Sequence, residues 1–387
     1  MKINYSKWPS YTNKEIIDVC RVLKSSKVNY LVGDKGRLLE KKFKEKINLN
    51  FTCLVSNGTI GIELALSTLN LKENDEVIVT PRSYISSVSP VLKVGAKPIF
   101  ADIDNDFNLD PKSIEEKITN KTKAIICVHL YGNPCKIEEI LKIKRKYNLF
   151  LIEDCSQAHG AKINNRYVGS FGDMSIWSFC NDKIISSGGE GGIIGCKSKK
   201  FYDLLWSLKD IGKNLNKYTQ KKNSYLFPYL HDNLGTNARM TEMQSVIALS
   251  HLSKLNKFIK KRNSNARILN KYLSNIKSIN TPTVDKSNIH AFYRYVVTLN
   301  FEYIKKNNNV IKIIKIIHKK NIYCNVGGCP EIYKEKIFRK NNLSLKLLKA
   351  KYLSDKTISF LVDHTISEKS LHIIGKKLQK IFKDISI

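Results

Sequence analysis

Residues 178–192 read SFCNDKIISSGGEGG, a single lysine between an apolar run and a glycine-rich turn. The preceding MSIWSF (174–179) has the composition of a buried strand, which places Lys183 where a strand ends. Open parallel sheets bind ligands beyond the carboxyl ends of their strands. Burial and neighbouring charge at such a mouth are expected to lower an amine's pKa, as a nucleophile working near neutral pH requires.

Around this stretch, apolar runs of strand length alternate with amphipathic runs of helical length from about residue 35 to about 250, the pattern of a mainly parallel α/β sheet. Strands are expected at 53–57, 76–80, 97–103, 123–130, 149–154 and 174–179, and helices from Thr59, from Ser83 to Ile85, from Lys136 and from Lys199. HLSKLNKFIKKRNSNARILNKYL (251–273) has helical spacing, and shorter strands and helices follow it. The expected organisation is a large domain with an N-terminal arm over 1–250 and a smaller C-terminal α+β domain over 251–387.

Two more strand ends carry polar residues. In SNGTIGIELALSTL (56–69), Ser56, Asn57, Gly58 and Thr59 open an apolar helix, where free N–H groups and the positive helix end suit a phosphate. An ordinary N-cap reads equally well from the same residues. In LFLIEDCSQAHGA (149–161), Glu153 and Asp154 end a strand. Such a carboxylate can face a protonated ring nitrogen, hold a metal or cap the next segment. No metal is expected, because neighbouring strand residues face opposite ways and no histidine or carboxylate cluster lies nearby in sequence.

The 387 residues contain 66 lysines and arginines against 34 acidic residues, a net charge of +32. Ten of the 66 are arginine, and the lysines are dispersed without a nucleic-acid-binding motif, the pattern of a solvated basic surface. No nucleic-acid partner is expected. The nine cysteines form no CxxC pair, the first residues lack a signal-peptide pattern, and no apolar run is long enough to span a bilayer. A cytoplasmic protein without a membrane partner is expected.

A phosphate-binding helix start, a strand-end aspartate and a nucleophilic lysine, in that order, meet the three requirements for holding pyridoxal 5′-phosphate. Together with SSKVNYLVG (25–33), DEVIVTPRSYISS (75–87), GAKPIFADID (95–104), AIICVHLYGNP, VGSFGDMSIWSF and LGTNARMTEMQSVIA, these segments make the chain resemble the DegT/DnrJ/EryC1/StrS family of sugar aminotransferases. The resemblance spans nearly the whole chain. It implies a pyridoxal-phosphate-dependent transferase of fold type I, with the aspartate aminotransferase architecture.

On matching positions, the resemblance makes Lys183 the residue that condenses with the cofactor aldehyde and Asp154 the partner of the pyridine nitrogen. It sets Gln157 beside the ring's 3-hydroxyl, Tyr84 on the ring face, and Gly58, Thr59 and Ser178 around the phosphate. Asn237, then Arg239, would reach the cofactor phosphate of a neighbouring subunit in a homodimer with shared active sites. The implied reaction carries an amino group from glutamate to a keto sugar, a nucleotide-linked 4-keto-6-deoxy sugar or a relative of it, for surface polysaccharide. A non-nucleotide keto sugar acid such as 8-keto-3-deoxyoctulosonate is the alternative substrate. A non-catalytic regulatory relative and a basic nucleic-acid-binding protein are the readings outside this class. The family carries other residues where Cys180 to Asp182 stand here, and a single glycine before EGG where this chain has Gly188 and Gly189.

Overall fold

The computed structural model describes residues 3, 5–220, 229–338, 345 and 347–387. Its main sheet has seven strands: β1 (Phe51–Val55), β2 (Glu76–Val79), β3 (Lys97–Phe100), β4 (Thr122–Val128), β5 (Phe150–Asp154), β6 (Met174–Ser178) and β7 (Gly192–Cys196). Their spatial order is β1-β7-β6-β5-β4-β2-β3. Strands β6, β5, β4, β2 and β3 run parallel to one another, while β7 is antiparallel to both β1 and β6. The sheet is mainly parallel, as the alternating pattern indicates.

Both faces of this sheet are buried, which is why its strands read as near-continuous apolar runs. Leu54, Ile78, Ile125, Leu151, Trp177 and Ile193 enter one core, while their neighbours Val55, Val77, Val79, Ile126, Ile152, Ile176 and Ile194 enter the other. The first core is closed by α2 (Lys35–Ile47) through Leu39 and Phe43, and by α4 (Ile137–Lys146) through Ile140. Helices α3 (Gly58–Ser67) and α5 (Lys199–Lys209) close the second. Strand β7 is the main-sheet strand absent from the sequence reading. Its GIIGC sequence is short and glycine-punctuated, and the weak β signal of glycine hides it.

A second sheet is antiparallel, with β8 (Ile279–Asn280), β9 (Tyr295–Leu299), β10 (Cys324–Asn325) and β11 (Thr357–Phe360) in the order β8-β9-β11-β10. Tyr295, Val297, Ile358 and Phe360 build its core with Leu371, Leu378 and Phe382 of α7 (Glu368–Ile385). Helix α6 (Glu242–Leu273) starts at a capping box between Thr241 and Gln244 and serves both cores. Its Ala248, Leu252, Leu255 and Ile259 join the first core of the main sheet, and its Ala266, Ile268, Leu269 and Leu273 join the core of the second sheet. The expected division at 250/251 therefore falls inside one continuous helix. Among the described residues, no helix is long and apolar enough to cross a membrane.

The end of β5 is fixed by Glu153, which is fully buried. Its carboxylate accepts the N–H groups of Gly169, Phe171 and Gly172 at 2.7, 2.8 and 2.6 Å and meets His129 Nε2 at 3.0 Å. The Cys135 N–H points at His129 Nδ1 (3.0 Å), so the ring is neutral and donates from Nε2 to Glu153. Burial alone would raise the Glu153 carboxyl, but the bonds from His129 and the glycines carry it below the usual carboxylate range. The sequence reading found no histidine or carboxylate cluster near this carboxylate. His129 follows the adjacent strand β4, which brings it beside Glu153 and Cys155 in space. Both histidine nitrogens and both carboxylate oxygens already have partners, so the cluster is a hydrogen-bonded lock.

Glu153→Gln keeps the shape but turns one acceptor into a donor facing buried N–H groups. The expected loss is about 1–3 kcal/mol in urea unfolding of the cofactor-free protein. A variant as stable as the wild type would contradict the role of this lock.

Candidate active site

A cleft of about 790 Å³ opens where β1, β2, β4, β5 and β6 end. Gly58, Thr59, Tyr84, Asp154, Gln157, Ser178 and Lys183 all line it. They come from four separate chain segments, and the parallel order of the strands is what gathers them. The opposite wall comes from the second sheet and its approaches: Tyr293, Arg294, Asn325, Gly327, Gly328 and Ser359.

Helix α3 begins at Gly58 because the Asn57 side chain caps it, accepting the Ile60 N–H at 2.9 Å. The Gly61 N–H bonds the Asn57 carbonyl at 3.1 Å. Among the described residues, the Gly58 and Thr59 N–H groups meet no protein acceptor, so the helix start presents two free donors to the cleft. The cap reading and the anion-site reading of this stretch both hold, on different N–H groups. A Cβ at Gly58 would stand 2.9 Å from the Ser178 Cβ, so only glycine lets the ends of β1 and β6 come this close. The Thr59 hydroxyl is 2.9 Å from Ser86 Oγ, and Ser178 Oγ accepts the Cys180 N–H at 3.2 Å.

Asp154 is 4% exposed. It accepts the Ser87 hydroxyl at 2.7 Å and the Ser156 N–H at 3.0 Å. Among the described residues no lysine, arginine or histidine pairs with it, so a buried carboxylate faces the cleft with its charge uncompensated. Such a group calls for a cationic ligand atom. Gln157 Oε1 accepts the Tyr131 N–H at 2.8 Å, which leaves its amide nitrogen to donate. Tyr84 is 68% exposed at the mouth, its ring free to be covered.

Lys183 lies on the loop after β6, which closes on itself through a bridge between Cys180 and Gly189. Gly188 and Gly189 have φ of 87° and 137°, backbone that L side chains avoid, so the extra glycine of this chain serves the turn itself. Lys183 Nζ lies 3.6 Å from Asp182 Oδ1 and 4.9 Å from the Tyr293 ring centroid. Asp182 also accepts the Tyr293 hydroxyl, and lies 3.3 Å from the Arg294 guanidinium. The expected lowering of the Lys183 pKa is corrected here. Burial does pull it down, but Tyr293 and the Asp182 carboxylate outweigh burial and carry it above the ordinary lysine value.

Asn237 and Arg239 do not line the cleft. The segment between them runs beside Ser56, whose N–H bonds the Ala238 carbonyl at 2.8 Å, and Asn237 is exposed to solvent. The Arg239 guanidinium is bonded to the buried Asp210 carboxylate of its own chain. Ser87, Asp182, Tyr293 and Arg294 escaped the sequence reading. Ser87 closes the quoted YISS run and Asp182 adjoins the lysine, so both stood within reach. Nothing in the spacing of AFYRYVV (291–297) marks Tyr293 or Arg294 as cleft residues.

The free N–H pair, the uncompensated carboxylate and the lysine fit pyridoxal 5′-phosphate at its phosphate, ring nitrogen and aldehyde respectively. Three known proteins are similar to this chain. A GDP-perosamine synthase of Escherichia coli O157:H7 is 40% identical over 281 residues, 72% of this chain and 73% of that one. A dTDP-3-amino-3,6-dideoxy-alpha-D-galactopyranose transaminase of Aneurinibacillus thermoaerophilus is 35% identical over 292 residues, 74% of this chain and 76% of its own. The X-ray structure of the aminotransferase from Psychrobacter cryohalolentis superposes with a TM-score of 0.95 at 35% identity, covering 99% of this chain and 100% of that one. The fold is that of the fold type I pyridoxal-phosphate-dependent aminotransferases. Residues 9–379 match the DegT/DnrJ/EryC1/StrS aminotransferase family, and the chain belongs to it.

Proposed function

We propose that this aminotransferase uses pyridoxal 5′-phosphate to move an amino group from glutamate to a nucleotide-linked keto sugar, a 4-keto-6-deoxy sugar or a relative of it, for surface polysaccharide. The carrying observation is the convergence of Lys183, the uncompensated Asp154 and the free N–H groups of Gly58 and Thr59 on one cleft. The relatives named above act, by their names, on GDP- and dTDP-linked sugars, which favours a nucleotide-linked substrate over a free keto sugar acid.

Bound pyridoxal 5′-phosphate supplies an aldehyde that condenses with amines and a ring that accepts the electron pair released when a neighbouring C–H bond breaks. The protein's residues do the rest. Gly58, Thr59 and Ser178 bind the phosphate through N–H and O–H groups at the positive end of α3. Asp154 holds a proton on the ring nitrogen, and the Ser87 and Ser156 bonds keep its carboxylate aimed there. Gln157 donates its amide N–H to the ring's 3-oxygen, while Tyr84 covers the ring and excludes water. Lys183 Nζ, once neutral, would take the proton from the carbon bearing the donor's nitrogen and return it to the carbon on the far side of that nitrogen. Asp182 and Tyr293 hold Lys183 in its charged form before the cofactor arrives, so the amine gives up a proton on binding it.

We further propose a homodimer in which the exposed Asn237 amide reaches the partner's cofactor phosphate. Arg239, already bonded to Asp210, is the poorer donor. Nine free cysteines, six of them buried, support a reducing, cytoplasmic setting.

Incubation with glutamate and a panel of nucleotide-linked keto sugars should yield the matching amino sugar, detected by mass, and Asp154→Asn should slow this by about 100-fold or more. An unslowed Asp154→Asn would place the ring-nitrogen role elsewhere. Lys183→Ala and Asn237→Asp subunits should each be poor alone, while mixed dimers regain up to about one good site per dimer. No recovery in verified hybrids would contradict the shared site.

A further inference from the structure

We propose that the N-terminal arm is a clasp that positions Lys183 from behind, with Trp8 and His251 holding the main chain of the lysine-bearing segment. The proposal rests on the reading of Lys183 as the cofactor-bearing residue. The Trp8 indole N–H donates to the Lys183 carbonyl at 2.8 Å across 175 residues of sequence. Among the described residues no other donor reaches that carbonyl.

The indole is held in turn by a cage of rings. Its centroid lies 4.4 Å from His364, 4.9 Å from His251 and 5.6 Å from Phe258. His251, on α6, makes the second hold, its Nδ1 accepting the Ser186 N–H at 3.3 Å. Tyr11 stacks parallel to His251 and brings its hydroxyl 3.5 Å from Ser186 Oγ. Burial pushes the His251 pKa down to about 4, so the ring stays neutral and Nδ1 keeps the lone pair this bond needs.

The arm is itself tied to α6 by Glu15, in the first turn of α1 (Asn13–Lys24). Its Oε1 accepts from Lys254 Nζ at 2.6 Å and from Ser250 Oγ at 2.7 Å, and its Oε2 accepts the Thr12 N–H at 2.6 Å. Ile184, Ile185 and Ser186 are fully buried between these holds and the sheet. The segment is gripped on its cleft side as well, through Asp182 by Tyr293 and Arg294.

This arrangement does more than bury an indole. A tryptophan donor can be satisfied by any nearby carbonyl, yet this one ends on the residue whose side chain must meet the cofactor. Fixing both ends of that main-chain span limits where the four-carbon lysine stem can carry Nζ, and misplacement of a reacting group by about 1 Å is costly. The arm thereby acts through Lys183, as a positioning element.

Trp8→Phe removes the N–H and keeps an aromatic ring. In the cofactor-free full-length variant, amide hydrogen exchange across 183–187 is expected to quicken about fivefold, the equivalent of one lost hydrogen bond. Uptake of added pyridoxal 5′-phosphate, followed by absorbance, should slow by a similar factor. Trp206→Phe, on α5, should change neither. If Trp8→Phe does not fold, His251→Ala is read by the same two measurements with the same expected directions. Wild-type exchange in a folded variant overturns the clasp, and faster exchange with unchanged uptake overturns its positioning role. Failure of the wild type to take up the cofactor overturns the reading of Lys183 instead, while the exchange result still decides on the clasp.

Discussion

Two neighbouring carboxylates at the end of β5 set up this site by being treated oppositely. Glu153 points away from the cleft, into three backbone N–H groups and the His129 ring, and is wholly satisfied by folding. Asp154 points the other way and receives a hydroxyl and one N–H, with no cation among the described residues. A buried, unpaired carboxylate is expensive unless the surrounding structure holds it rigidly or a ligand completes it. The Glu153 lock supplies the rigidity, fixing the strand end from which Asp154 projects. A cationic ligand atom, such as the ring nitrogen proposed for Asp154, would complete what folding leaves unpaired there.

The charge arrangement around Lys183 follows the same logic with the opposite sign. Asp182 shares its carboxylate among Lys183, Tyr293 and Arg294, so the ammonium is stabilised rather than discharged. A lysine lowered by burial alone would be reactive at all times. Here Tyr293 and Asp182 outweigh burial and carry the amine above the ordinary lysine value. Tyr293 and Arg294 precede β9 of the second sheet, so the lysine's electrostatics depend on how the two sheets meet.

The fold class was legible because the main sheet is buried on both faces, and its strands stand out as apolar runs such as AIICV and FLIED. Six strands were placed to within about three residues at their ends. Strand β7 was not, since two glycines in five residues leave little apolar signal. Gly58, Thr59, Asp154 and Lys183 were legible for a topological reason, since a parallel sheet brings strand ends together whatever their separation in sequence, whereas Tyr84, Gln157 and Ser178 were marked by the family resemblance alone. What stayed hidden lies across longer connections. His129 was invisible beside Glu153 without the pairing of β4 with β5. Tyr293, Arg294 and Trp8 reach the lysine from 110 or more residues away, and no local pattern announces such contacts. The Lys183 pKa was misjudged for the same reason, because its decisive neighbours include Tyr293, which precedes a strand of the second sheet.

Of the 56 lysines in the chain, Lys183 alone is proposed to carry the cofactor. Incubating the protein with pyridoxal 5′-phosphate, reducing with borohydride and mapping the peptides tests it directly. One phosphopyridoxyl group per chain on Lys183, absent from Lys183→Ala, is the expected result. A label spread over surface lysines, or fixed on another residue, would contradict it.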